Sequence, residues 1–182
     1  MNWKCILVIT VIVFFVFGRC SEGFEAPKLN IYGEPLQQCK TGVDPGSWMA
    51  DGTCSELGGG VHQICFRVTD ETSDFSEQTG QSNWSEKRVN NNHCMCLGAW
   101  ALYKAKGLGT GRELVCEAIP ETALSPNYIG NWSTWNGNEL DGQIIKGVRA
   151  LYDQCSTDTL SVSQQTYITD LFETLQSHVN GL

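Results

Sequence analysis

Cysteine restricts this chain more than any other feature. Nine cysteines fall within 182 residues, a density that is ordinary where thiols oxidise and rare where they are kept reduced. The first two, Cys5 and Cys20, lie in an opening segment that reads MNWKCILVITVIVFFVFGRC. Lys4 precedes an uncharged apolar run, Cys5–Phe17, and Arg19 ends it. That is the layout of a signal peptide, and the run is too short to span a bilayer comfortably. Small residues at alternate positions permit cleavage after Gly18, Cys20 or Gly23. The sequence therefore predicts a signal peptide over residues 1–20 and a secreted, extracellular product that is not an integral membrane protein.

Beyond the leader the chain keeps Cys39, Cys54, Cys65, Cys94, Cys96, Cys116 and Cys155, all disulfide candidates. Their number is odd. One thiol is free, bridges a second chain in a disulfide-linked dimer, or pairs with Cys20 if cleavage falls after Gly18. Spacing leaves the connectivity open. In an extended strand Cys94 and Cys96 point the same way, so each is expected to reach a different partner. Every bridge should contribute about 2–4 kcal/mol, mainly by restricting the unfolded chain. Two glycosylation sequons, Asn83-Trp84-Ser85 and Asn131-Trp132-Ser133, suit a secreted glycoprotein and would place Asn83 and Asn131 on exposed loops.

The residue balance sets further bounds. Hydrophobic residues make up 41% and charged residues 18%, enough apolar surface to offset the ordering of a folded chain. The formal charge is −8, which argues against nucleic acid and anionic membrane as partners, since both need a basic face. Removing the leader takes away Lys4 and Arg19 and no acid, so the product is more acidic still. The ligand spacing of a calcium-binding EF-hand loop is absent.

Periodicity places the elements. Val61–Thr69 alternates as a strand, with His62, Ile64, Phe66 and Val68 on one face. Asp70 can cap a short helix ending at Gly80. Trp100–Lys106 reads as a helix stopped by Gly107, and Glu113–Ile119 as a second strand ended by Pro120. Asp141–Cys155 carries an amphipathic stripe of Ile144, Val148, Leu151 and Cys155. Ser161 and Gln164 have capping-box spacing ahead of a last helix reaching His178. Residues 40–60, 81–93 and 125–140 read as loops. The expected fold class is α+β: a small disulfide-stapled single domain with short antiparallel strands and C-terminal amphipathic helices.

Several short motifs occur in a recognisable order. They are Gly33-Glu34-Pro35-Leu36-Gln37-Gln38-Cys39, Asp51-Gly52-Thr53-Cys54, Gly60-Val61-His62-Gln63-Ile64-Cys65 with Thr69-Asp70 and Phe75-Ser76, and Cys94-Met95-Cys96 with Trp100. In these the stretch from about residue 30 to 124 resembles the bacterial domain-of-unknown-function 2237 family. The chain departs from that pattern at Gly80–Asn83, where the family has Gly-Asn-Asp-Leu. It departs again at Trp84–His93, a polar stretch in place of a Phe-Pro-Gly-rich segment. The family carries no established activity, so the resemblance implies a fold and not a function. Taken with the signal-peptide reading, the chain is expected to divide into a leader (1–20), an α+β core (21–124) and a C-terminal helical extension packed on that core (125–182).

The sharpest chemical cluster is His62, Cys65, His93, Cys94 and Cys96, a set of soft nitrogen and sulfur ligands suited to zinc. An oxidising compartment would instead close such cysteines into disulfides, and His62 would be a hydrogen-bonded core residue. A cysteine nucleophile with His62 or His93 as base is available by residue type, but no local sequence around any cysteine supports it. Glu113, Glu117 and Glu121 read as a solvated face. Trp132 and Trp135 are binding candidates: among Asn and Gly they could stack on a sugar or anchor a partner, unless they fold into the core. No hydrolase elbow, zinc-protease motif or phosphate loop occurs.

The leading expectation is a secreted, acidic, cysteine-rich, non-enzymatic protein without a cofactor. It would act in an extracellular or mineralised matrix through surface contacts with protein, glycan or mineral. The alternatives are a secreted zinc-binding protein or enzyme using the His/Cys cluster, and a carbohydrate-binding module using Trp132 and Trp135.

Overall fold

The structure is a computed structural model and describes residues 28–40, 48–56, 62–132, 134–135, 137–140, 142–157 and 159–179. The predicted signal peptide lies outside the described residues. Two antiparallel strands form the centre, β1 (His62–Arg67) and β2 (Asn92–Cys96). Cys65 pairs with Cys94 and Phe66 with His93. The other edge of β1 takes Leu114 through a single bridge, with Arg67 N–H on Glu113 O at 2.6 Å and Val115 N–H on Cys65 O at 3.0 Å. The strand expected over Glu113–Ile119 goes no further. Cys116–Ala118 coils into a 3-10 turn where the Cys116–Cys155 disulfide holds the chain.

The described residues form five helices. They are α1 (Phe75–Gln78), α2 (Leu97–Ala105), α3 (Pro126–Gly130), α4 (Gln143–Ser156) and α5 (Val162–Gln176). Together with the strands and three disulfides they make the small α+β fold the sequence predicts. The helix expected from Trp100 begins at Leu97, directly after β2, and Gly107 past its end has φ +74°. A positive φ suits glycine at a helix stop. The capping box at Ser161 is formed, with Gln164 N–H on Ser161 Oγ and Ser161 N–H on Gln164 Oε1. The loop expected over residues 125–140 instead holds α3 and a short hairpin, β3 (Thr134–Trp135) with β4 (Asn138–Glu139). Ser125 caps α3, and Pro126 takes the first helical position, where a missing N–H costs nothing.

The core is aromatic beside β1. Phe66, Phe75, Trp100 and Tyr103 are all buried, with Phe66 and Phe75 centroids 4.9 Å apart and Phe75 and Tyr103 centroids 4.8 Å apart. On the far side α2 meets α4 at a close crossing. A Cβ on Gly147 would lie 2.8 Å from the Ala101 Cα, and Trp100 Nε1–H donates to Gly147 O at 2.8 Å. This contact joins the core stretch to the C-terminal helices. The lead-in segment is held by backbone bonds, Ile31 N–H to Ile119 O and Glu121 N–H to Leu29 O, both 3.0 Å. Tyr32 OH also donates to Cys155 O at 2.9 Å. Among the described residues no helix is long and apolar enough to cross a membrane.

Candidate functional site

Six cysteines are paired: Cys39–Cys65, Cys54–Cys94 and Cys116–Cys155. Cys94 therefore reaches a partner that Cys96 does not share, and Cys96 is the free thiol among the described residues. This corrects the five-ligand zinc reading. Cys65 and Cys94 are closed in disulfides and offer no thiolate, which leaves His62, His93 and Cys96. Among the described residues, the three donors that converge within 4.8 Å are Cys39, Cys54 and Cys65, and those too are oxidised. Cys96 is 2% exposed, and burial pushes its pKa up to about 12. A protonated, enclosed thiol is a poor nucleophile and is badly placed to bridge a second chain.

The three remaining residues meet at one cavity of about 220 Å³, which Trp84, Arg88 and Met95 also line. His62 opens β1 opposite Cys96, and the register shifts between His62 and Ile64. That bulge breaks the alternation the sequence suggests. Gln63 is buried and accepts from Thr122 Oγ1 at 2.9 Å, while His62 sits half-buried at the rim with Nδ1 bonded to the Glu56 carboxylate. His62 is thus a rim residue and not a core histidine.

His93 lies deeper, at 7% exposure. Its ring packs against Trp84 with centroids 4.1 Å apart and planes at 31°. Its Nδ1 is buried and has no hydrogen-bond partner. Burial lowers its pKa from 6.5 to about 3, with the nearby Arg88 and His62 charges adding to the shift. The imidazole is neutral at any physiological pH.

The polar stretch Trp84–His93 looked like a featureless loop, yet it builds the wall of this cavity. Ser76 and Ser85 are both fully buried and bond each other at 2.8 Å. Ser85 Oγ also donates to Ser73 O at 2.6 Å, and Trp84 N–H donates to Ser76 Oγ at 3.2 Å. Those bonds fasten the segment to α1. Trp84 Nε1–H donates to Gln81 Oε1 at 3.1 Å, which sets the indole over His93. Arg88 ends a 3-10 turn, Glu86–Arg88, with its N–H on Ser85 O at 2.9 Å. Among the described residues no carboxylate pairs with its guanidinium. Periodicity could not have found this wall, because its bonds run between serines far from any apolar stripe.

The other candidates lie elsewhere. Trp132 and Trp135 are half-buried, 5.8 Å apart, and folded over α2, where a Cβ on Gly98 would meet the Trp132 ring at 2.8 Å. They pack as part of the fold and do not stand free as a stacking platform. Asn83 and Asn131 are both exposed. Glu113 departs from the solvated face expected of it. It is 1% exposed, 3.4 Å from Lys104 Nζ, and accepts from Gln154 Nε2 at 3.1 Å. Comparison of the chain with family models, curated proteins and solved structures gives no match.

Proposed function

We propose that this chain works outside the cell as a disulfide-framed, acidic, non-enzymatic module of an extracellular or mineralised matrix. On this reading residues 1–20 are a leader removed on export, Asn83 and Asn131 carry glycans, and 30–124 shares its fold with the bacterial family it resembles. The observation that carries the reading is the cross-linking itself. Three bridges close separations of 26, 40 and 39 residues in a chain whose net charge is −8. Such bridges persist where thiols oxidise. The acidic surface supplies the means of contact with basic proteins or mineral cations.

Expression of the full chain in a secretory host tests this. The expected product is recovered from the medium, shortened at its N-terminus and heavier by glycan. Alkylation before reduction should label a single cysteine, and the protein should be retained on isolated matrix or mineral. Recovery only from the cell interior, with thiols free and the leader intact, would overturn the reading.

A further inference from the structure

We propose that the cavity between His93, His62 and Arg88 binds a small oxyanion-bearing molecule, a carboxylate or phosphate attached to an apolar or aromatic tail. The size is the first argument. About 220 Å³ is several times the roughly 30 Å³ share of one water and below the roughly 300 Å³ at which sites for drug-sized ligands begin. A bare inorganic ion would leave most of it unfilled.

Charge is the second argument. The chain holds 20 acidic and 12 basic residues, yet this cavity is lined by a guanidinium and by no acidic side chain. Arg88 lines the cavity, and no described carboxylate engages it. A guanidinium presents a planar fork of donors that matches a carboxylate or phosphate.

The third argument is the histidine. His93 is more than nine-tenths buried and lines the cavity. Its Nδ1 is closed off and has no partner, so the ring nitrogen left to meet a ligand is Nε2. A neutral imidazole carries one N–H, which an oxyanion can accept. Trp84 and Met95 supply apolar wall for the tail. A metal ion fits less well. His62, His93 and Cys96 are not among the donors drawn together within 4.8 Å, and the Arg88 cation stands beside them.

The experiment titrates the oxidised protein, labelled with nitrogen-15, with phenyl phosphate, benzoate, inorganic phosphate, benzyl alcohol and zinc. The imidazole resonances of His93 and His62 and the indole N–H of Trp84 report binding, and calorimetry gives affinity. Phenyl phosphate or benzoate should shift His93 and Trp84 saturably, and the tighter of the two identifies the oxyanion. Benzyl alcohol should do nothing. Arg88→Gln should weaken binding at least tenfold, and Arg88→Lys should recover part of it. Arg88 has no described side-chain partner to lose, so both variants should keep the three disulfides and the near-ultraviolet dichroism of the parent. Three results would overturn the proposal: no response of His93 to any anion, equal binding by Arg88→Gln, or a response to zinc alone. Inorganic phosphate binding as tightly as phenyl phosphate would overturn the tail.

Discussion

The two sides of this molecule are held together by different means. The segments over 28–40 and 48–56 have almost no regular structure, and two disulfides fix them to β1 and β2. Cys65 and Cys94 face each other in register, so both cross-links leave from one point in the sheet. The α2–α4 side relies on packing, with Gly147 set against the Ala101 backbone and Trp100 bonded to a helix carbonyl. Ile31 and Tyr32 are buried, but most side chains in these segments are half-buried or exposed, so covalent bonds help offset their ordering entropy by restricting the unfolded chain. Helices with a continuous apolar stripe need no such help until their ends, where Cys116–Cys155 joins the two sides.

The largest effect should come from breaking the stapled side. Replacing Cys54 and Cys94 together by Ala opens a 40-residue separation and should cost about 4 kcal/mol, read as a fall in the urea midpoint. In the same variant hydrogen exchange should speed up in 48–56 and β2 well before α4. Uniform acceleration would show that the two sides are one cooperative unit. Next comes the packed side. Gly147→Ala puts a methyl 2.8 Å from the Ala101 Cα and should cost about 2 kcal/mol by overpacking. All three disulfides should survive, as peptide mapping would show.

The smallest effect, read over a single pH unit, belongs to His93. Its folded pKa of about 3 lies below the ordinary histidine value of 6.5, so the unfolded chain binds the proton first. The stability His93 contributes is complete above about pH 6.5 and is lost as pH falls toward 3. The slope approaches about 1.4 kcal/mol per pH unit. Between pH 6 and 5 the wild type should lose about 1 kcal/mol more than His93→Gln; equal losses in paired urea titrations would remove His93 from the account.

Legibility followed the same division. The amphipathic stripe of α4 and the capping box of α5 were plain in the residues, because both signals are local. The β1 strand was plain for the same reason, apart from the bulge at Gln63, where strict alternation put His62 on the core face. Leu114 alone joins the sheet, since the neighbouring disulfide at Cys116 turns the chain away. The cavity was half legible. His62, His93 and Cys96 stood out as residue types, whereas Trp84 and Arg88 owe their places to the Ser76–Ser85 bonds. Disulfide partners and serine clusters are long-range choices, and nothing in their own neighbourhoods announces them.

The spacing of Cys94 and Cys96 also bears on how the protein is made. Both lie on β2, one bonded to Cys54 and the other free. Side chains in a strand repeat every two residues, so sliding β2 by that amount returns each one to its own face. A Cys54–Cys96 bridge would therefore keep every β2 side chain on the face it has in the native pairing, and alternation would not reject it. Such a slip would displace Leu97, which begins α2 directly after Cys96 and is fully buried. During oxidative folding the choice of the right sulfur thus falls to the docking of a helix, and any change that delays α2 should raise the yield of the wrong isomer.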